Sequence, residues 1–140
     1  MNYLLDTCVL SEIVKSAPEK QVVRWLKERK SDQTFVSAIT LAELERGVAK
    51  LPESKRRSVL TIWLKQMEKD FKDRILPFDI EVAHHWAAMT AQSEARGKSM
   101  AILDSMIAAT ALAHGYYLVT RNARDFVNSG VEIINPWETV

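Results

Sequence analysis

Four carboxylates stand at positions that a purely structural role explains only in part: Asp6, Glu43, Asp104 and Asp125. Asp104 lies in Met100-Ala101-Ile102-Leu103-Asp104-Ser105-Met106-Ile107-Ala108-Ala109, a run that is otherwise almost wholly apolar. An ionised carboxylate taken out of water neutralises unless something offsets its charge. Backbone N–H groups would do so if Asp104 capped a helix running through Leu112; a metal ion is the sharper alternative. Asp6 has the same two readings, because it follows Tyr3-Leu4-Leu5 and precedes a helical pattern opening at Thr7. Glu43 closes Thr40-Leu41-Ala42-Glu43, which fits a capping box with the glutamate returning to the threonine N–H. Asp125 reads locally as a turn or cap residue. All four fall near the end of a strand or the start of the helix after it. Hard oxygen donors without a Cys or His set favour Mg²⁺ or Mn²⁺ over zinc. Magnesium keeps several waters and bridges to substrate phosphate, which points to phosphoryl chemistry.

Such acids need a scaffold, and hydrophobic spacing outlines it. Tyr3-Leu4-Leu5, Thr34-Phe35-Val36 and residues 116–119 and 131–134 are short and apolar enough for buried strands, and Ile75-Leu76 stops at Pro77. Between them apolar residues recur at helical spacing. Val9, Leu10, Ile13 and Val14 form one such set, and Val22, Val23 and Leu26 a second. Leu41, Leu44 and Val48 line a helix expected to begin near Thr40, and Val59, Leu60, Trp63, Leu64 and Met67 a longer one. Asp79 suits the cap of a helix holding Val82, Ala83, Trp86 and Met89, with Gly97 at its end and Gly115 at the end of the next. Strands alternating with helices predict an α/β fold: a central, mostly parallel sheet with right-handed crossovers and helices on both faces. Ligands in such folds bind beyond the carboxyl ends of the strands, where strand order reverses. Asp6 and Thr120-Arg121-Asn122 follow strands in that way.

No repeat, low-complexity tract or Pro/Gly/Ser-rich linker divides the 140 residues, so one domain over 1–140 is expected. An apolar fraction of 47% and a charged fraction of 26% are those of an ordinary globular chain. The apolar runs are too short to span a bilayer, no leader pattern opens the sequence, and one cysteine cannot form an internal disulfide. A cytoplasmic protein without a membrane partner is therefore expected. The net charge of +1 is uninformative, but residues 46–74 hold nine bases and four acids. That surplus is either a solvated helical face or a surface that tracks phosphates.

Rival chemistries lack their residues. A haloacid-dehalogenase-type phosphatase needs a second Asp where Cys8 stands, and a cysteine phosphatase needs an Arg where Val14 stands. Gly-x-Ser-x-Gly is absent, and no glycine lies between Asp6 and Lys15 to cradle a dinucleotide. His84 and His85 are neighbours on one helix, about 100° apart, and chelate poorly. His114 favours the negative end of its helix. Trp25, Trp63 and Trp86 sit at apolar spacings expected of core or dimer contacts, not of base-stacking platforms.

Taken together the motifs resemble the PIN-domain ribonucleases and, within them, the VapC-type toxins of bacterial toxin–antitoxin pairs. The matching stretches are Leu4-Leu5-Asp6-Thr7, Ser37-Ala38-Ile39-Thr40-Leu41-Ala42-Glu43-Leu44, Leu103-Asp104-Ser105-Met106-Ile107-Ala108-Ala109-Thr110-Ala111 and Thr120-Arg121-Asn122-Ala123-Arg124-Asp125-Phe126. They keep the family's order across residues 4–126. The resemblance implies a metal-dependent endoribonuclease that hydrolyses RNA phosphodiester bonds with an activated water. It implies Asp6 and Asp104 as the principal metal ligands, Glu43 as a third acid at the ion and Asp125 as a fourth catalytic acid. Mg²⁺ is the implied cofactor, with Mn²⁺ as a substitute.

Around these acids the resemblance places Thr7, Ser105, Thr120 and Asn122, with Thr7 and Ser105 as hydroxyls that orient the aspartates. Asn122 stands where relatives carry an acid, which removes a charge from any second metal position. Cys8 stands where relatives often carry asparagine and is expected to pack locally, without chemistry. Arg121 and Arg124 border the site as phosphate contacts or as solvated loop charges. A homodimer, an RNA substrate and a small cognate antitoxin whose tail blocks the acidic groove are also implied. The competing reading is a non-catalytic PIN-like interaction domain that binds RNA or protein. A binding-only domain has no need to hold four acids in register, which weighs against it.

Overall fold

A computed structural model describes residues 1–138; the last two positions of the domain expected over 1–140 lie outside the described residues. The chain enters through β1 (Tyr3–Leu5), turns at Asp6 into α1 (Thr7–Ile13), continues as α2 (Lys20–Lys27) and returns as β2 (Thr34–Ser37). Helices α3 (Ala38–Ala49) and α4 (Lys55–Asp70) lead to β3 (Ile75–Leu76). Next, α5 (Ile80–Ala95) and α6 (Ile102–His114) lead to β4 (Tyr117–Val119), and the short α7 (Ala123–Phe126) to β5 (Ile133–Ile134). The strands form one sheet in the order β3-β2-β1-β4-β5, and every pairing is parallel. Strand order runs outward from β1 in both directions, so the reversal falls at β1, beside β2 and β4. Asp6 leaves β1, Ser37 ends β2 and Thr120 leaves β4 at that one crest.

The pleat of the strands divides the core in two. Leu4, Phe35, Leu76, Leu118 and Ile133 face one side, where Val82, Met89, Ile107 and Phe126 from α5, α6 and α7 cover them. Tyr3, Leu5, Val36, Tyr117 and Val119 face the other, against Val9, Leu10, Val22, Leu64 and Met67 from α1, α2 and α4. Both faces are shut off from water, as parallel sheets require. Each fully buried Val, Leu or Phe contributes about 1.5–3 kcal/mol to that closure. Trp25, Trp63 and Trp86 are half-buried against these two cores. Among the described residues no helix is long and apolar enough to cross a membrane.

Local chemistry sets the element ends. The Asp79 carboxylate accepts the Val82 N–H at 3.0 Å and caps α5, while Gly115 closes α6 in the left-handed region at φ +68°. Several boundaries differ from the sequence expectation: β2 runs on to Ser37 and β4 begins at Tyr117 rather than Tyr116. Helix α3 begins at Ala38 and not near Thr40, because Ser37 Oγ accepts the Thr40 N–H at 3.0 Å and already serves as the cap. Helix α6 begins at Ile102 with Ala101 at the cap position, so Asp104 lies inside the first turn and caps nothing. The last strand spans Ile133–Ile134 and not 131–134, since the Val131 N–H is taken by the Ser129 hydroxyl at 3.1 Å.

Candidate active site

Asp6 is fixed by the sheet itself. Its N–H donates to the Val119 carbonyl at 2.9 Å, which ties the acid to β4 as well as to β1. The side chain belongs to a residue only 5% exposed, and both of its oxygens are engaged. One accepts the Thr7 N–H at 2.8 Å, which caps α1; the other accepts Thr120 Oγ1, also at 2.8 Å. The Thr120 hydroxyl in turn accepts the Asn122 N–H at 3.0 Å. Burial pushes the Asp6 carboxyl above its ordinary range, these hydrogen bonds oppose that push, and the charge of Asp125 adds to it slightly.

Glu43 stands in the second turn of α3 and reaches across to α1. Its Oε1 accepts Thr7 Oγ1 at 2.7 Å. The capping box read from Thr40-Leu41-Ala42-Glu43 is therefore not formed: Ser37 does the capping and Glu43 faces the crest. Thr7 serves two acids, the backbone N–H holding Asp6 and the hydroxyl holding Glu43, whereas the sequence reading gave its hydroxyl to an aspartate.

Asp104, half-buried in the first turn of α6, shows that the acids share one field. Its carboxyl is pushed up to about 6, first by burial and then by the charges of Asp6, Asp125 and Glu43; no hydrogen bond offsets the push. Asp6 at the end of β1, Glu43 of α3 and Asp125 of α7 thus all lie within electrostatic reach of Asp104 on α6, near the crest where strand order reverses. Asp125 is exposed, and its helix is anchored by Phe126, 1% exposed in the core.

Among the described residues no three His, Cys, Asp or Glu side chains yet stand close enough to clasp one ion. Their charges nevertheless act on Asp104. A divalent cation suits this donor set, because it would relieve the repulsion that raises Asp104. Mg²⁺, which retains several waters, does not need every acid in direct contact.

The remaining expected residues divide. Ser105 is turned away from the acids: its hydroxyl donates to the Ile102 carbonyl at 2.6 Å and accepts Trp86 Nε1 at 2.9 Å, tying α5 to α6. One residue along a helix is about 100° of rotation, which carries Ser105 out of the crest that Asp104 faces. Asn122 is exposed and takes part through its backbone N–H. Arg121 and Arg124 are exposed, and neither pairs with an acid among the described residues; the Arg121 guanidinium lies over the Trp137 ring at 5.6 Å. Cys8, expected only to pack, stands among the acids' supports. Its Sγ lies 3.7 Å from Asp6 Oδ2 and 3.5 Å from Thr120 Oγ1, and it accepts the Arg121 N–H at 3.4 Å. Burial and the neighbouring Asp6 push this thiol up. Its place two residues after Asp6, at the start of a helix, was the available signal.

A parallel α/β sheet with carboxylates gathered at its reversal point is a scaffold for phosphoryl chemistry. The family model described as PIN domain matches residues 3–129, and the chain belongs to the PIN-domain family. VapC ribonuclease Y4jK of Sinorhizobium fredii is 40% identical over 139 residues, covering 96% of this chain and 97% of the relative. Toxin FitB of Neisseria gonorrhoeae is 41% identical over 135 residues, covering 96% and 97%. A chain in the crystal structure of FitAcB from the same organism superposes with a TM-score of 0.92 at 40% identity, covering 98% of this chain and 99% of that one.

Proposed function

We propose that this chain is a metal-dependent endoribonuclease and the toxin of a toxin–antitoxin pair, cutting RNA phosphodiester bonds at the crest of β1 and β4. The observation that carries the reading is the placing of Asp6, Glu43, Asp104 and Asp125 on elements that end at the reversal point of the sheet, near enough for the three other acids to act, after burial, on the Asp104 carboxyl. The VapC ribonuclease and FitB toxin relatives, 40% and 41% identical along nearly the whole chain, support it.

In this reading Asp6 and Asp104 hold the cation, with Glu43 as the third acid. When bound, a divalent cation of the Mg²⁺ or Mn²⁺ type polarises the phosphodiester and makes water more acidic. The chain's own part is orientation. The Thr7 N–H and Thr120 Oγ1 fix the two oxygens of Asp6, and the Thr7 hydroxyl fixes Glu43. Glu43 or Asp125 positions the attacking water. Arg121 and Arg124, exposed beside the crest, meet neighbouring phosphates. Asn122 adds no charge, which weakens any second cation. Residues 1–140 act as one catalytic unit in the cytoplasm, as a homodimer, with an antitoxin tail covering the acids.

Purified protein is expected to cleave RNA with Mg²⁺ or Mn²⁺ and to lose cleavage in excess chelator. Asp6→Asn is expected to lose at least about 100-fold with an unchanged circular dichroism spectrum. Full activity in chelator would overturn the metal mechanism, and binding of Mg²⁺ without any cleavage would favour the non-catalytic reading.

Thr120→Val keeps the side chain's shape but removes the hydroxyl shared by Asp6 and the Asn122 N–H. Turnover is expected to fall about 10- to 100-fold, and stability by about 1–3 kcal/mol. Urea unfolding alongside RNA turnover checks both; lost stability with wild-type turnover would leave Thr120 a structural role alone.

A further inference from the structure

Among the described residues three arginines lie over aromatic rings, and they differ in what their donors do. The Arg29 guanidinium, 4.1 Å from the centre of the Trp25 ring, donates to the Trp25 carbonyl at 3.2 Å. Arg74, 4.5 Å from the Phe71 ring centre, donates to the Thr34 carbonyl at 2.6 Å and to the Asp70 carbonyl at 2.7 Å. Both are committed to the fold. Arg121 lies 5.6 Å from the Trp137 ring centre, is exposed, and among the described residues bonds through its main chain alone. Its N–H donates to Cys8 Sγ at 3.4 Å, and its carbonyl accepts Asn135 Nδ2, also at 3.4 Å. The guanidinium therefore rests on a ring while its N–H edge meets no protein acceptor among those residues. The ring is itself held. The Trp137 N–H donates to Asn135 Oδ1 at 2.9 Å, and Pro136 between them is buried. Trp137 packs, half-buried, against the core that holds Leu5, Val9 and Val119.

We infer that the Asn135-Pro136-Trp137 turn belongs to the substrate-binding apparatus: Trp137 is a positioning residue that holds the Arg121 guanidinium ready to grip an RNA phosphate flanking the bond that is cut. The inference rests on the ribonuclease reading above and adds to it the residue that sets the arginine. Arg121 directly follows Thr120, whose hydroxyl holds Asp6 at 2.8 Å, so its main chain is fixed beside the acids. A guanidinium carries five donors in a planar fork that matches two phosphate oxygens at once. Stacking on an indole draws the cation onto the ring face and leaves those donors at the edge. A long side chain loses rotamer freedom when it grips a ligand, and one already resting on a ring loses less. A structural duty explains Arg29 and Arg74, whose donors satisfy main-chain carbonyls, but it gives the Arg121 fork nothing to do. Arg124, exposed on α7, lies over no ring among the described residues, so the two bases bordering the crest are not equivalent.

The test is a double-variant cycle. It measures kcat and KM on a single-stranded RNA about 12 nucleotides long, of the size a single-strand site covers. The affinity of the fluorescein-labelled strand is read by anisotropy at several salt concentrations, in an Asp104→Asn background so that the strand is not consumed. Arg121→Ala is expected to raise KM about tenfold with little change in kcat. It should also flatten the slope of log affinity against log salt by about 0.7, one phosphate on a single strand. Trp137→Leu keeps apolar volume against the core and is expected to raise KM about two- to fivefold, with Trp137→Phe recovering part of the loss. The deciding value is the combination. Trp137→Leu should add nothing to KM once Arg121 is alanine, and should keep its full effect in an Arg124→Ala background. Equal effects of Trp137→Leu with and without Arg121 would overturn the inference, as would wild-type KM and salt slope in Arg121→Ala. Should Trp137→Leu not fold, Arg121→Lys decides, since it keeps the charge but gives up the flat fork. Raised KM at an unchanged salt slope supports the inference, and wild-type KM sinks it. No cleavage by the wild type with either metal would be a different failure, of the ribonuclease reading itself. The anisotropy cycle still reads the pair in that case, and additive losses there end the inference.

Discussion

Asp104→Asn is expected to reduce RNA cleavage by at least about 1000-fold and, in the same protein, to raise the stability of the metal-free fold. Asparagine keeps the shape and removes the charge. The carboxyl sits at about 6 in the folded chain, against about 3.9 in an unfolded one. Between those values the folded chain holds a proton that the unfolded chain has released. Stability therefore falls as pH rises from about 4 to about 6 and stays reduced above that window. A displacement of this size corresponds to about 3 kcal/mol before screening, and water at the half-buried carboxylate cuts it to about 1–2 kcal/mol. The asparagine variant in chelator should accordingly unfold at higher urea than the wild type at pH 7, and should lose the slope between about pH 4 and 6. Added Mg²⁺ should stabilise the wild type and leave the variant almost unmoved, because the cation favours the charged form. A variant less stable than the wild type in chelator at pH 7 would remove Asp104 from the mutually repelling set.

The largest loss of stability is expected at Phe126. It is 1% exposed and packs into the core that also holds Leu118, Ile107 and Val131. Helix α7 is four residues long, too short to stand without that anchor. Phe126→Ala should cost about 3–5 kcal/mol, a large share of the roughly 5–15 kcal/mol that holds a domain together. Asp125 is the preceding residue, so cleavage should fall further than the folded fraction does. Urea unfolding gives the first quantity, and turnover per folded molecule in a stabilising osmolyte gives the second. A loss below about 1 kcal/mol would mean that α7 is held by other contacts.

The scaffold was legible because each strand is covered on both faces, which writes it as a short apolar run between helical periods. Asp6 and Asp104 were legible as acids because their neighbours are apolar. The supports of these acids were not. The bond from Thr7 to Glu43 joins positions 36 apart, and a local reading gives Glu43 to the nearest threonine instead. That reading failed because Ser37, one residue before α3, had already taken the cap. Ser105 was placed beside Asp104 by adjacency, while helical rotation delivers it to Trp86. Cys8 was passed over because its partners Thr120 and Arg121 lie 112 and 113 positions away, at the end of a strand that only folding brings alongside.

The bond from Thr120 to Asp6 spans 114 positions, and the strand that delivers Thr120 pairs directly with the first one. A ribosome must therefore release almost the entire polypeptide before the cutting centre can assemble. At bacterial or eukaryotic elongation speeds that is a delay on the order of ten seconds. Truncated and stalled copies would lack that contact, so cleavage would come only from finished molecules.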